Sequence, residues 1–228
     1  MTTVAIHQPN YLPWTGYFSK MAKCDIFVLF DDVQYPMGKE FANRNRIKTP
    51  QGSLWLTVPV KNKGDMLKIN EVEINNEVKW NIRHWKSIES FYQRSPFFQV
   101  YENEFENIIL NTEWTKLCDL NVELIKLIKK ILGIDAKLLF SSQLKAEGKG
   151  EEKILNILKL LNADKYLTTQ GPGAQRYANE EDFKKSNIEI IFNEFMHPVY
   201  MQNFGDFMPD LSIIDLLFNM GDKARELI

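Results

Sequence analysis

Polar side chains able to do chemistry follow two short apolar runs near the start of the chain. His7 and Gln8 come directly after the first run, and Asp31 and Asp32 come after the second. A histidine suits proton transfer near neutral pH, and paired carboxylates can hold Mg²⁺, a sugar hydroxyl or an amine, or orient a base. A turn with a capping residue is the alternative for the aspartates. Because ligands of open α/β sheets bind at the carboxyl ends of the strands, we expect a site here.

A basic stretch at residues 43–48 is the second candidate, with three cations and two amides within six positions. Guanidinium groups match phosphate or carboxylate geometry bidentately, so this stretch suits the diphosphate of a nucleotide-linked substrate. A solvated basic loop is the alternative. The polar residues concerned are Asn43, Arg44, Asn45, Arg46 and Lys48.

Two later motifs add further candidates. His84 shares a predicted helix face with Trp80, and it is either a second catalytic histidine or part of an aromatic core. The turn at 170–173 follows a predicted strand, and Gly171 in it permits close approach of the backbone to a ligand, with Tyr177 shortly after. This turn lacks the glycine spacing and the lysine of nucleotide-binding fingerprints, and a plain tight turn fits equally well.

Length and charge narrow the function classes. The chain has 228 residues, 28 Lys and Arg against 30 Asp and Glu, and a formal net charge of −2, which argues against nucleic-acid binding through bulk electrostatics. Cys24 and Cys118 give neither a metal-ligand spacing nor a disulfide framework. No secretory signal and no membrane-spanning apolar window stand out. We therefore expect a cytoplasmic protein with no metal site and no membrane span.

Alternating apolar runs and amphipathic stretches predict the elements that position these residues. A strand at 4–6, a helix at 14–23 and a strand at 26–30 form a β-α-β start, which is typical of a parallel sheet. The same alternation returns in the last part of the chain, with strands at 136–140, 165–168 and 188–192, helices at 151–161 and 213–227, and Ser212 as a cap.

The middle of the chain follows a different pattern. Residues 33–53 lack apolar periodicity and are predicted to be a loop, and strands at 54–60 and 69–74 are predicted to pair through a turn at 61–65. Three helices follow, at 78–92, 97–110 and from a cap at Thr112 to 131. We therefore expect a single α/β domain over 1–228, with a mostly parallel Rossmann-like sheet flanked by helices and a helical insertion at about 78–132.

Several of these motifs together resemble the WbqC-like protein family. The resemblance runs through residues 7–14, 16–18, 27–35, 43–48, 55–60, 84–85, 177, 197–200 and 211–219, in order along almost the whole chain. Family members are associated with gene clusters for O-antigen and other surface polysaccharides, and a glycine-type aminoacyl transferase role has been suggested. The resemblance therefore implies an enzyme that acylates the amino group of a nucleotide-linked amino sugar, with an acyl-carrier thioester or an activated amino acid as the donor.

The candidate residues suit that chemistry. Amide formation needs a base for the amine, cations for the diphosphate and donors for the oxyanion. His7 would be the base with His84 as its alternative, and Asp31 or Asp32 would orient the amine or His7. Arg44 and Arg46 would grip phosphate, and Gln8, Asn43 and Asn45 would hold sugar hydroxyls or the oxyanion. Tyr11, Gln34, Lys48, Gly171 and Tyr177 complete the predicted substrate-binding set.

Two other functions stay open on the sequence. A strand ending in His-x-Pro before a turn and a helix loosely resembles nucleotidylyltransferases, although Asn10 stands where their second histidine would be. Magnesium-dependent release of pyrophosphate would favour that class. The other function is a non-catalytic sugar-nucleotide-binding protein of a biosynthetic complex, in which ligand binding would survive the loss of His7 and Asp32 without any turnover by the native protein.

Overall fold

The structure is a computed structural model that describes residues 1–36, 41–61, 66–169 and 180–228. The chain forms two compact units. Unit 1 consists of residues 1–8, 16–32 and 134–196, and unit 2 consists of residues 9–15, 33–133 and 197–228. Much of the helical middle predicted from the sequence therefore falls in unit 2.

Unit 1 is built on a parallel sheet of five strands. These are β1 (Thr3–His7), β2 (Ile26–Leu29), β5 (Lys137–Phe140), β6 (Lys165–Thr168) and β7 (Glu189–Phe192). They lie in the order β5-β2-β1-β6-β7, and all four pairings are parallel. The predicted α/β class with a mostly parallel sheet is confirmed.

The strand order reverses direction at β1. After β1 the chain builds β2 and then β5 on one side, and it later returns to build β6 and β7 on the other side. In doubly wound sheets this reversal leaves a crevice between the carboxyl ends of the two central strands, which here are β1 and β6. His7 is the last residue of β1 and Thr168 is the last residue of β6.

Helices complete unit 1: α1 (Thr15–Ala22), α5 (Ser141–Leu144), α6 (Gly150–Leu160) and α7 (Glu180–Lys185). Successive side chains of a strand point to opposite faces of the sheet. Ile6 belongs to the core that contains Ile157 of α6 and Phe183 of α7. His7 must point to the other face, where the Tyr17 ring of α1 contacts it.

Unit 2 contains a hairpin that the sequence did not predict. Strands β3 (Arg44–Thr49) and β4 (Gly52–Thr57) pair in antiparallel fashion, so the expected loop at 33–53 was wrong. The expected antiparallel pairing of 54–60 with 69–74 is limited to a bridge, because β4 pairs with β3 instead. Residues 69–71 form a 3₁₀ turn, and the strand predicted there is reduced to isolated bridges such as the one between Val60 and Ile74. The centre of the predicted turn, residues 62–65, lies outside the described residues.

The helices of unit 2 follow the predicted periodicity more closely. They are α2 (Trp80–Tyr92), α3 (Phe98–Glu106), a π-helical turn (Asn107–Asn111), α4 (Leu117–Ile131), α8 (Ile213–Met220) and a 3₁₀ turn (Gly221–Leu227). Ser212 caps α8 as predicted. Thr112 does not cap α4, because its hydroxyl donates back to the carbonyl of Asn107 and the helix begins only at Leu117.

Phe218 of α8 lies at the centre of the aromatic core of unit 2. Its ring contacts those of Tyr92, Phe98 and Phe105 at centroid distances of 5.4, 5.1 and 5.6 Å. These contacts anchor α8 to α2 and α3. Among the described residues, no helix is long and apolar enough to cross a membrane.

Candidate functional site

His7 ends the central strand of unit 1, opposite Leu29 in the register of β1 and β2. Its Nδ1 lies 3.1 Å from the carbonyl oxygen of Gln8. A carbonyl can only accept a hydrogen bond, so Nδ1 must carry the proton, and the neutral ring keeps a lone pair on Nε2. The Tyr17 ring meets the imidazole edge-on at 4.8 Å and limits its rotation.

The surroundings of His7 keep its imidazole neutral. Burial and, to a smaller extent, the nearby charge of Lys20 lower the pKa of His7 to about 3, although the hydrogen bond to Gln8 opposes both effects. At neutral pH the ring is therefore an acceptor at Nε2 and a donor at Nδ1. This is the protonation state that a general base requires before reaction.

Lys20 of α1 is a functional candidate that the sequence analysis missed. Its side chain is only 2% exposed, and Nζ donates to the carbonyl oxygen of Ile6 at 2.9 Å. Burial lowers the pKa of Lys20 to about 7, and interaction with the Cys24 thiol partly opposes that effect. Lys20 follows Tyr17 by three residues and directly precedes Met21, and both of these lie on the apolar face of α1. This spacing could have indicated that the lysine is buried.

The two aspartates lie beyond the end of β2, in a cluster with residues that follow β5. The Asp31 carboxylate accepts from the hydroxyl of Ser141 at 3.0 Å and from the amide and hydroxyl of Ser142 at 2.9 and 2.6 Å. Asp32 accepts from Ser141 and forms an ion pair with Lys153 of α6. The serines directly follow a predicted strand, so the strand-end reasoning used for His7 could also have found them.

Solvent is largely excluded from the Asp32–Lys153 ion pair, whose side chains are 14% and 11% exposed. Burial alone would raise the pKa of Asp32, but the hydrogen bonds from Lys153 and Ser141 hold it below its ordinary value. Asp32 reaches α6, which packs on the face of Ile6, whereas His7 points to the α1 face. The structure therefore places the carboxylate pair and His7 at the same end of the sheet but towards opposite faces.

His84 belongs to a buried aromatic cluster in unit 2. Its Nδ1 lies 2.9 Å from the hydroxyl of Tyr11, and its ring is 5.2 Å from that of Trp80, as the predicted shared helix face requires. Burial lowers the pKa of His84 to about 4, and a backbone hydrogen bond with Thr57 opposes the effect. His84 is 6% exposed, so its ring is neutral and enclosed. This holds whether the ring takes part in catalysis or belongs to the aromatic core.

The arginines of the basic stretch lie on one face of the hairpin with Trp55. The guanidinium carbon of Arg44 lies 4.4 Å from the centroid of the Trp55 ring, and that of Arg46 lies 5.9 Å from it. Arg46 also pairs with the Asp210 carboxylate at 3.6 Å and donates to the Asp210 carbonyl oxygen at 3.0 Å. Arg46 is thus held by residues of its own unit, while Arg44 stacks on an indole that is 40% exposed.

The other polar residues of this stretch make internal hydrogen bonds. The side-chain amides of Asn43 and Asn45 donate to the carbonyl oxygens of Val58 and Leu12 at 2.8 and 2.6 Å. Lys48 is 2% exposed and donates to Gln202 at 3.1 Å and to the carbonyl oxygens of Gly205 and Asp206. These three side chains hold backbone in place, which the sequence alone did not distinguish from substrate binding.

The remaining predicted contacts are dispersed. Tyr11 is fully buried beside His84, whereas Gln34 is exposed and forms an isolated bridge with Lys68. Gly171 and Tyr177, with the rest of the turn at 170–173, lie outside the described residues. Within the described part of the chain, no group of three or more His, Cys, Asp and Glu side chains is arranged to hold a metal ion.

The neutral histidines make stability depend on pH. Their unfolded-state pKa is near 6.5, and the folded-state values are about 3 for His7 and about 4 for His84, so the unfolded chain binds protons first as the pH falls. We expect stability to decline below pH 6.5 by up to about 1.4 kcal/mol per pH unit for each ring.

Urea unfolding at pH 7.0, 6.0 and 5.0 measures this decline. These pH values lie above the range in which most carboxyl groups titrate. His84→Gln removes one of the two titrating rings, so it should reduce the slope by about half. An equal slope in the variant and the native protein would show that His84 is not kept neutral by the fold.

The geometry defines a doubly wound α/β protein with a neutral histidine at the reversal of its strand order. More particularly, the chain belongs to the WbqC-like protein family, whose profile matches residues 8–227. It is 37% identical over 231 residues to the uncharacterized protein Rv1507c of Mycobacterium tuberculosis, with 100% of this chain and 98% of that relative covered. No solved structure matches the chain.

Proposed function

We propose that this protein transfers an acyl or aminoacyl group to the amino group of a nucleotide-linked amino sugar during surface-polysaccharide synthesis. The family resemblance supplies the substrate class, and His7 supplies the chemistry. The observation that carries the proposal is the Nδ1 contact with the Gln8 carbonyl, because it leaves the Nε2 lone pair of a neutral ring at the end of the central strand.

The reaction is an amide-forming substitution at the acyl carbon. The sugar amine attacks the carbonyl carbon of the donor, and His7 Nε2 takes a proton from the attacking nitrogen. The tetrahedral oxyanion then collapses, the bond from carbon to the leaving sulfur or oxygen breaks, and the protonated imidazole gives its proton to that leaving group. Gln8, whose amide directly follows His7, is our candidate donor to the oxyanion.

Mass spectrometry of sugar nucleotides tests the proposal. The purified protein is incubated with UDP-, GDP- and dTDP-linked amino sugars that carry a free amine, together with acetyl and glycyl thioesters of coenzyme A. We expect one sugar nucleotide to gain the mass of the acyl group and one equivalent of free thiol to appear. Thermal shift with the same compounds identifies binding without turnover, since a ligand of the native state raises the melting temperature.

A nucleotidylyltransferase is the second candidate, and the reversal of strand order beside His7 favours it. In doubly wound sheets that crevice binds nucleotides. The same protein is therefore incubated with nucleoside triphosphates, amino sugar 1-phosphates and Mg²⁺. Pyrophosphate release without any acylated product would replace the acyl-transfer proposal, whereas binding with neither product would favour the non-catalytic function.

A further inference from the structure

Lys20 places a cation at the crevice where the strand order reverses. The carbonyl of His7 accepts from the amide of Phe30 and so faces β2. Successive carbonyls of a strand point in opposite directions, so the Ile6 carbonyl faces β6. The pairing of β1 with β6 ends one residue earlier, at Ala5 and Leu167. The ammonium group of Lys20 is hydrogen-bonded to the Ile6 carbonyl, so it lies just beyond the last residue pair that joins β1 to β6.

Among the residues that the structure describes, neutral groups surround this buried cation. Within the described part of the chain, the groups around Nζ are the Ile6 carbonyl at 2.9 Å, the Phe27 ring with its centroid 5.9 Å away, the Cys24 thiol and the imidazole of His7. Each of these groups is neutral or held so. A buried charge without a counter-charge is costly, which distinguishes Lys20 from Lys153 with its Asp32 partner.

We propose that Lys20 is the binding contact for a phosphate group at the crevice between the carboxyl ends of β1 and β6, and that this phosphate belongs to the diphosphate of the sugar nucleotide. The identity of the nucleotide rests on the proposed function, whereas the phosphate site rests on the placement of Lys20. A lysine is a compact point charge that suits phosphate, and a bound phosphate would provide a counter-charge for it.

The phosphate also affects the proposed base. The charge of Lys20 is one of the causes that lower the pKa of His7. A phosphate beside Lys20 offsets that charge and favours protonation of both side chains. Binding of the sugar nucleotide would therefore make His7 a stronger base at the moment when the amine is present.

Titration with pyrophosphate tests the site without assuming a nucleobase or a sugar. Isothermal calorimetry measures the affinity of the native protein and of Lys20→Met, which keeps a similar side-chain volume and removes the charge. We expect the variant to bind pyrophosphate at least about tenfold more weakly. Acetate at the same ionic strength provides the carboxylate arm, and we expect it to bind more weakly than pyrophosphate.

Lys23→Met is the matched control, because it removes a cation three residues further along the same segment. Lys23 is exposed, and its Nζ donates to the Asn193 side chain at 2.9 Å. We expect its affinity for pyrophosphate to stay within about twofold of the native value, since a single exposed charge contributes little. Lys20→Arg restores a cation and should recover part of the affinity lost in Lys20→Met.

Histidine NMR of the native protein covers the case in which Lys20→Met does not fold. The chain has three histidines, so the ring signals are few enough to assign. Pyrophosphate should shift the signals of His7 and leave those of His84 in place. Absence of pyrophosphate binding, native affinity in Lys20→Met, or a shift confined to His84 would each overturn the phosphate site.

The outcomes also separate this inference from the proposed function. Pyrophosphate binding that depends on Lys20, in a protein that transfers no acyl group, keeps the phosphate site and overturns the transferase. Acyl transfer by a protein whose Lys20→Met variant binds pyrophosphate normally keeps the transferase and overturns the phosphate site.

Discussion

Replacing His7 by Gln is expected to lower kcat for acyl transfer by a factor of about 10²–10⁴, the usual contribution of a positioned base. Glutamine can still donate a hydrogen bond to the Gln8 carbonyl, as Nδ1 does at 3.1 Å in the native protein. It has no side-chain group that takes a proton near neutral pH. The chemical step should therefore suffer far more than the binding of the sugar nucleotide. Steady-state kinetics with the acylated product measured by mass spectrometry gives kcat and KM separately.

His84→Gln separates the two histidines that the sequence offered as bases. The ring of His84 is enclosed by Tyr11 and Trp80 in unit 2, and we expect its replacement to lower stability more than kcat. A large loss of kcat in His84→Gln, together with near-native kcat in His7→Gln, would assign the base to His84. Melting temperatures of both variants confirm that each protein is folded at the assay temperature.

The parallel sheet could be predicted because its strands are short apolar runs between polar ends. Residues 26–30 are one such run, and strands of a parallel sheet are covered on both faces. Strand β3 does not have that pattern. It alternates Arg44, Arg46 and Lys48 with Asn45 and Ile47, and Arg46 pairs with Asp210, which lies far along the chain. Nothing local to the sequence shows that partner, so the sequence predicts a loop there.

The candidate site could be predicted where reactive side chains directly follow a strand in the sequence. His7, Asp31 and Asp32 were found in this way, and so could Ser141 have been. Lys20 and Lys153 come from helices that pack against the sheet, so only the fold brings them to the strand ends. The amides of Asn43 and Asn45 show the converse limit, since residue type alone does not tell a side chain that binds a ligand from one that binds backbone.

Replacing Asp215 by Ala is expected to destabilise the protein by about 3 kcal/mol. This side chain of α8 is fully buried in unit 2, and the sequence analysis gave it no role. Its two carboxylate oxygens accept from the hydroxyls of Tyr92 at 2.7 Å and Tyr200 at 2.8 Å. Burial raises the pKa of Asp215, and the two tyrosine hydroxyls, with Lys48 nearby, oppose that effect. Alanine would leave two enclosed hydroxyls without an acceptor, which costs more than losing the bonds alone.

Urea unfolding of Asp215→Ala, Tyr92→Phe and Tyr200→Phe distinguishes a hydrogen-bonded network from mere packing. Tyr92→Phe should be the more damaging tyrosine variant, because the Tyr92 hydroxyl also accepts from the amide of Lys48 at 3.0 Å, which would lose its acceptor. Once Asp215 is alanine, removing the Tyr200 hydroxyl should cost less than in the native protein, because the hydroxyl has already lost the carboxylate to which it donates. If the free-energy changes of Asp215→Ala and Tyr200→Phe simply add in the protein that carries both substitutions, the two side chains do not interact. In that case the carboxylate does not hold the segment around Tyr200 against α8.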